Sequence, residues 1–150
     1  LLKDADERGF IFYTNYLSRK GKELEATPFA SLLFFWDALE RQVRIEGAVQ
    51  KVSPAESDRY FQSRPRESQI SAAVSSQSGF IASREALEEK WKKLEMRLAG
   101  KEVPRPSHWG GYCLTPHRIE FWQGREARLH DRILYELRND GGWEICRLEP

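Results

Sequence analysis

The sequence has few of the residues and motifs on which common enzyme mechanisms depend. Its two cysteines, Cys113 and Cys146, form no Cys-x-x-Cys pair, and its three scattered histidines give no zinc-ligand spacing. The glycine-rich motifs of nucleotide-binding loops, the Gly-x-Ser-x-Gly of hydrolases and the His-Glu-x-x-His of metalloproteases are missing. Nucleophilic and zinc-dependent hydrolysis therefore have little support, no metal site is predicted, and we expect both thiols to be reduced and buried.

The sequence also lacks a large excess of one charge and a long apolar segment. The formal net charge is +1, whereas a general nucleic-acid binder normally displays a large basic excess. The longest apolar run, Phe29 to Trp36, is too short to cross a bilayer. For a chain of 150 residues we therefore expect one cytoplasmic domain over residues 1–150 that binds neither nucleic acid nor a membrane.

Hydrophobic patterns and capping residues predict an α+β fold, an antiparallel barrel of about seven strands with three or four helices inserted in its middle. Strands are expected over residues 10–14, 29–36, 42–52, 112–114, 118–122, 129–137 and 143–148. The 29–36 strand is apolar on both faces, which predicts a central place in the sheet. Ser18, Ser53 and Ser83 are expected to cap helices, and a further helix is expected over 67–75. In the 42–52 strand, Gly47 predicts a bulge or a close approach of two backbones.

The segment from Trp109 to Arg132 contains the densest set of candidate functional residues. If it forms a strand, Arg128, His130 and Arg132 share one face at roughly 6.5 Å per step. Two permanent cations would then flank one titratable imidazole, an arrangement suited to an anionic ligand that exchanges a proton. The alternative is a solvated strand face, which charged residues usually form. A turn at Gln123-Gly124 would fold the preceding aromatic strand beside the charged one.

Other cations and aromatic residues point to the same kind of ligand. Arg19 and Lys20 open the helix after Ser18, where an anion would explain positive charge at a helix start. Tyr60 and Arg64 are four residues apart and are expected on one helical face. Each such residue has a more ordinary structural explanation when taken alone. Together they favour phosphorylated aromatic ligands.

Eleven blocks, in order along the whole chain, resemble the pyridoxine (pyridoxamine) 5'-phosphate oxidase family. The blocks are Leu1–Lys3, Phe12–Asn15, Ser18–Lys20, Glu40–Val43, Tyr60–Ile70, Val74–Ser78, Glu102–Pro106, Trp109–Gly111, Ile119–Gly124, Arg128–Arg132 and Arg147–Pro150. The N-terminal segment of the family has no counterpart here, so we expect an N-terminally truncated chain. No single block is decisive, and it is their number and order that carry the resemblance.

The resemblance implies a Greek-key, FMN-binding split β-barrel that acts as pyridoxal 5'-phosphate synthase. Pyridoxine or pyridoxamine 5'-phosphate would be oxidised by hydride transfer to the flavin, with O2 reduced to hydrogen peroxide. A homodimer would bind FMN at the subunit interface, to which the strands in 109–150 would contribute. The alternative is a split-barrel protein that binds flavin or pyridoxal phosphate without catalysis.

The family's functional residues map onto this sequence position by position. FMN contacts would be Leu1, Leu2, Lys3, Tyr13, Thr14, Arg19, Lys20, Gln42, Gln77, Ser78, Trp122 and Arg132. Substrate contacts would be Lys3, Tyr60, Arg64, Ser68, Arg128, Leu129 and His130. Arg128, packed over the pyridine ring, and His130, at the C4' substituent, would be the catalytic residues.

Overall fold

A computed structural model describes residues 2–150, so the predicted FMN contact at Leu1 lies outside the described residues. In these residues the chain forms seven strands and four α-helices. They are β1 (Asp4–Asp6), β2 (Gly9–Asn15), α1 (Arg19–Ala26), β3 (Phe29–Trp36), β4 (Arg41–Lys51), α2 (Pro54–Ser63), α3 (Arg66–Val74), α4 (Arg84–Arg97), β5 (Trp109–Gln123), β6 (Asp131–Leu137) and β7 (Trp143–Arg147). The strand order is β1-β2-β5-β4-β3, with β6 pairing β5 and β7. The predicted antiparallel α+β class is confirmed, with antiparallel registers for β3–β4, β5–β6 and β6–β7.

The chain divides into two compact units. The first consists of Ile11–Thr27 and Lys51–Cys113 with the first residues of the chain, and it contains all four α-helices described. The second consists of Ala5–Phe10, Pro28–Gln50 and Leu114–Pro150. None of the helices in residues 2–150 combines the length and apolar character needed to cross a bilayer.

The core of the first unit packs its helices around one tryptophan. Phe61, Ile70 and Val103 are fully buried beside Trp109, and partly buried side chains of α4 pack against them. Ser53 accepts a hydrogen bond from the Glu56 N–H, so α2 begins where predicted.

Helix α1 also begins where predicted, at a cap that is buried. The Ser18 hydroxyl accepts from the Gly21 N–H at 3.1 Å and donates to the Asn15 carbonyl at 2.6 Å. The first turn contains no acidic residue, while Arg19 and Lys20 are both exposed. The cap thus ties the start of the helix to the end of β2 and leaves two cations at the helix N-terminus.

In the second unit, Gly47 lies where two backbones approach closely. A Cβ at Gly47 would lie 2.1 Å from the Thr115 carbonyl oxygen, so only glycine fits there. The β3–β4 register is continuous past it, which confirms close approach rather than a bulge.

The prediction that the 29–36 strand is central is wrong for the single chain. β3 ends the strand order, and Phe29 and Leu33 are each 60% exposed. An apolar pattern shows that a surface needs burial, but it does not tell an internal core from a surface that another chain covers.

Three further expectations need correction. The strands predicted at 112–114 and 118–122 are one strand, β5, because the backbone of Pro116 is compatible with an extended segment. β6 begins at Asp131 instead of residue 129, since Ala127 and Arg128 turn the chain with φ of 54° and 62°. Cys113 is buried as expected, but Cys146 is exposed.

Candidate functional site

A cavity of about 510 Å³ in the first unit brings together eight of the residues predicted to bind FMN or substrate. They are Lys3, Tyr13, Thr14, Lys20, Tyr60, Arg64, Ser68 and Gln77. The cavity is formed by the end of β2, the start of α1, the α2–α3 junction and the beginning of β5. Residues that are distant in sequence and were predicted individually therefore line one space.

Three nearly parallel aromatic rings form one wall of this cavity. The Tyr13 and Tyr60 ring centroids are 3.9 Å apart with a 17° interplanar angle, and Tyr13 and Trp109 are 5.3 Å apart at 12°. Burial raises the pKa of Tyr13 to about 12, so its phenol stays protonated at neutral pH. The wall thus combines flat apolar surface with a phenolic hydrogen-bond donor.

Arg64 presents an unpaired charge to the same cavity. Pro65 keeps Arg64 out of the helical conformation, at φ −77° and ψ 151°, so Arg64 caps α2 rather than sharing a helical face with Tyr60 as predicted. Its guanidinium carbon lies 4.8 Å from the Trp109 ring centroid. Nη1 is buried and has no hydrogen-bond partner among residues 2–150, and desolvation lowers the pKa of the group. Leaving one buried N–H group of a guanidinium unpaired is costly for folding, and an anionic ligand would satisfy it.

Thr14 is the second unsatisfied polar group of the cavity. Its Oγ1 is buried and, within residues 2–150, has no hydrogen-bond partner. Beside it, Asn15 donates from its backbone N–H to Gln77 Oε1 at 3.3 Å and from Nδ2 to the Ser75 carbonyl at 3.2 Å. These bonds tie the 75–79 loop to the end of β2. Asn15, Ser75 and Trp109 line the cavity but were not among the predicted ligands.

The structure separates Arg19 from Lys20. Lys20 lines the first cavity, whereas Arg19 lines a neighbouring cavity of about 490 Å³ together with Gln77 and Ser78. Arg19 Nε donates to Glu23 at 2.8 Å on an exposed face. Ser78 adopts φ 68°, a conformation that residues other than glycine rarely take.

Leu2, another predicted FMN contact, belongs to the first unit but does not line its 510 Å³ cavity. The other remaining residues belong to the second unit. They are Gln42, Trp122, Arg128, Leu129, His130 and Arg132. Because Arg128 lies in the Glu126–Arg128 turn, it does not share a strand face with Arg132, and the predicted alternation is wrong. Arg128 and Leu129 are exposed.

His130 is held in one orientation. Its Nδ1 accepts a hydrogen bond from the Arg125 N–H at 3.1 Å, and its ring lies 4.8 Å from Trp122. Because Nδ1 accepts this bond, the neutral imidazole has its proton on Nε2.

Arg132 is bound by a carboxylate of its own chain. Its Nε and Nη2 donate to the two oxygens of Glu120 at 2.7 and 3.1 Å, and Nη1 donates to the Glu149 carbonyl at 2.9 Å. Glu120 is only 7% exposed, and the hydrogen bond from Arg132 lowers its pKa. The guanidinium is thus oriented from within the second unit.

Two family models together match the whole chain. A family model described as "Pyridoxamine 5'-phosphate oxidase" matches residues 1–123, and one described as "Pyridoxine 5'-phosphate oxidase C-terminal dimerisation region" matches residues 109–150. The chain is 60% identical over 150 residues to the pyridoxine/pyridoxamine 5'-phosphate oxidase of Trichormus variabilis, covering all of this chain and 70% of that protein. The chain belongs to the pyridoxine/pyridoxamine 5'-phosphate oxidase family.

Other relatives and solved structures extend this result. The pyridoxine/pyridoxamine 5'-phosphate oxidase of Herminiimonas arsenicoxydans is 59% identical over 150 residues, which is 71% of its length. PhzG from Burkholderia lata, solved with tetrahydrophenazine-1-carboxylic acid, superposes with a TM-score of 0.91 at 36% identity, over 99% of this chain and 72% of that one. An FMN-binding protein related to pyridoxamine 5'-phosphate oxidase from Nostoc punctiforme has a TM-score of 0.75 at 16% identity, over 100% of this chain and 78% of that one, and shows the fold alone. The split-barrel class predicted for this family is therefore confirmed.

Proposed function

We propose that the chain is an FMN-dependent oxidase that converts pyridoxine or pyridoxamine 5'-phosphate to pyridoxal 5'-phosphate. The observation that carries this proposal is the cavity with two unsatisfied polar groups, Thr14 Oγ1 and Arg64 Nη1. The chain that forms it is 60% identical to a pyridoxine/pyridoxamine 5'-phosphate oxidase. Two-electron oxidation needs a redox group, which no side chain here supplies, and FMN supplies it when bound.

The residues of the cavity suit FMN and a B6 phosphate as a pair of phosphorylated aromatic ligands. Lys3, Thr14 and Lys20 offer two cations and a hydroxyl, which suit the FMN phosphate and its neighbouring oxygens. Arg64 and Ser68 offer a guanidinium and a second hydroxyl, which suit the substrate phosphate. Tyr13 and Gln77, also predicted FMN contacts, line the same cavity. The other predicted FMN contacts enter the proposal through the family resemblance alone: Leu1, Leu2, Arg19, Gln42, Ser78, Trp122 and Arg132.

The proposed catalytic residues would act on the pyridine ring of the substrate. Arg128 would pack over the ring and fix its angle, and exposed Leu129 would contact it beside Arg128. His130 would hold or release a proton at Nε2 beside the C4' substituent, because its Nδ1 is engaged by the Arg125 N–H. Product formation from pyridoxamine 5'-phosphate would also consume a water molecule, which supplies the aldehyde oxygen, and release the nitrogen as ammonia.

The proposal includes a homodimer with the active site at its interface. Residues 109–150 match a region described as a dimerisation region. Phe29 and Leu33 on β3 are each 60% exposed, and Ile145 on β7 is 57% exposed. Such side chains favour burial against a second copy of the chain.

The proposal is tested by product formation in the FMN-loaded protein. Pyridoxal 5'-phosphate and hydrogen peroxide should form from pyridoxine 5'-phosphate in air. Pyridoxine without its phosphate should react far more slowly, because it leaves Arg64 unpaired. Oxidation of tetrahydrophenazine-1-carboxylic acid in preference to the B6 phosphates would instead favour the activity suggested by the PhzG complex, and would overturn the proposed substrate.

A further inference from the structure

The guanidinium of Arg64 is held by aromatic rings instead of by a carboxylate. Its carbon lies 4.8 Å from the centroid of Trp109 and 5.8 Å from that of Phe61. Nη1 has no hydrogen-bond partner among residues 2–150 although it is buried. Arg66, two residues away, contrasts with this, since its guanidinium donates to the carbonyls of Leu98 and Lys101 at 2.6 and 2.7 Å.

A ring and a carboxylate have different effects on an arginine that must bind an anion. A carboxylate occupies the guanidinium donors and neutralises the charge, so an incoming phosphate must displace it or share it. A ring face stabilises the cation through its quadrupole and leaves the N–H donors free. Among aromatic side chains, tryptophan gives the strongest such contact.

The backbone of Arg64 is fixed separately from its side chain. Buried Gln69 donates from Nε2 to the carbonyls of Arg64 and Gln62, at 2.9 and 3.2 Å. Pro65 restricts Arg64 to an extended conformation. With the backbone restrained, the direction of the long side chain depends on what its planar end packs against, and that is chiefly Trp109.

We propose that Trp109 is a positioning residue for phosphate recognition, which keeps the guanidinium of Arg64 oriented and unpaired in the cavity. Trp109 is 7% exposed and belongs to the core cluster with Phe61, so its ring is itself held in place. It acts through Arg64 and needs no contact with the ligand. This inference rests on the proposed function, in which Arg64 binds the substrate phosphate.

The test is a double-mutant cycle on ligand binding to the FMN-loaded protein. Trp109→Phe and Trp109→Leu are each made alone and together with Arg64→Met, and titrated with pyridoxal 5'-phosphate and with inorganic phosphate. Trp109→Phe should weaken binding of both probes about threefold and Trp109→Leu about tenfold, consistent with the loss of a partly desolvated cation–π contact. In the Arg64→Met background either change should alter binding less than twofold. In turnover, Trp109→Phe should raise KM and leave kcat within twofold.

Trp91→Phe is the matched control, because Trp91 packs against the same core cluster while its indole N–H donates to the Ser71 hydroxyl. It should leave affinity for both probes unchanged. If Trp109→Leu does not fold, Trp109→Phe still decides the question.

The inference would be overturned if Trp109→Phe weakened ligand binding by the same factor in the wild-type and the Arg64→Met backgrounds. It would also be overturned if Trp109→Phe left the affinity unchanged in protein that retains Arg64. Failure of the proposed function would look different. The wild-type protein would not oxidise pyridoxine 5'-phosphate, while the coupling of Trp109 and Arg64 in binding inorganic phosphate would remain and would uphold the inference.

Discussion

Replacing Arg64 with methionine should strongly weaken phosphate binding at little cost to stability. Methionine fills most of the space of the arginine stem and removes the guanidinium. That group is desolvated, its pKa is lowered by burial, and its Nη1 is unpaired within residues 2–150, so its charge opposes folding. Its removal also loses a cation–π contact worth about 0.5–2 kcal/mol. Because these effects oppose each other, we expect the free energy of unfolding of the ligand-free protein to change by less than about 1 kcal/mol.

The effect of Arg64→Met on ligand binding should be much larger. A hydrogen bond to a charged group contributes about 1.5–3 kcal/mol. At about 1.4 kcal/mol per tenfold, the Kd for pyridoxal 5'-phosphate should rise about 10-fold to 150-fold. Isothermal titration of the FMN-loaded protein measures this change, and urea unfolding measures stability.

Arg66→Met is the control, because Arg66 bridges two backbone carbonyls instead of facing the cavity. It should lower stability by about 1–3 kcal/mol, since both carbonyls lose a charged donor, and leave phosphate affinity unchanged. If Arg64→Met destabilised the protein by more than 2 kcal/mol and left phosphate affinity unchanged, Arg64 would be a structural residue and the reasoning would fail.

Three further predictions follow from other unsatisfied, paired or exposed groups. Thr14→Val should leave the free energy of unfolding unchanged or raise it by up to about 1 kcal/mol, because Oγ1 is buried and has no partner in residues 2–150. The same change should weaken FMN binding about tenfold in a fluorescence titration. Glu120→Gln should destabilise the protein by about 1.5–3 kcal/mol at pH 7, since it breaks the ion pair with Arg132. The folded state lowers the pKa of Glu120 below its ordinary value of 4.5. This difference, measured by urea unfolding, should therefore be fully present above pH 4.5 and shrink as the pH falls through the lowered pKa. The control, Glu136→Gln at an exposed site, should leave stability at pH 7 unchanged. Leu33→Glu should shift the protein from dimer to monomer in sedimentation, and an unchanged dimer would place the interface elsewhere than β3.

The parts of the fold set by local chemistry were predictable from the sequence. Ser18, Ser53 and Ser83 cap helices because a hydroxyl before an amphipathic run satisfies free N–H groups whatever the tertiary context. Gly47 could be recognised because a glycine inside a strand is unfavourable unless another backbone comes close. In both cases the signal lies within a few residues of the feature that it predicts.

The place of one strand in the sheet and the geometry of one turn were not predictable. β3 has the apolar pattern of a central strand but lies at the sheet edge, because apolar residues on both faces of a strand do not show which elements will cover those faces. Arg128 has the spacing of a strand residue, yet left-handed backbone at Ala127 and Arg128 delays β6 to Asp131. Neither residue is glycine, so the usual sequence signal for such a turn is missing.

The candidate site was predictable residue by residue but not as a geometry. The resemblance indicated Tyr60 and Arg64, and the structure brings both to one cavity, although Arg64 arrives there as a helix cap and not as part of a helical face. The sequence indicated Trp109 only as the first residue of the candidate segment 109–132 and of one family block, and assigned it no role. Its stacking with Tyr13 and Arg64 depends on contacts between segments far apart in sequence.

An anaerobic titration is the decisive test of the proposal that this chain oxidises a B6 phosphate with a bound flavin. FMN-loaded protein is mixed with pyridoxine 5'-phosphate in the absence of oxygen, and its flavin absorbance bands are recorded. The bands should bleach as substrate is added and return when air is admitted, with pyridoxal 5'-phosphate in solution. Bands that dithionite bleaches but pyridoxine 5'-phosphate and pyridoxamine 5'-phosphate leave unchanged would contradict it.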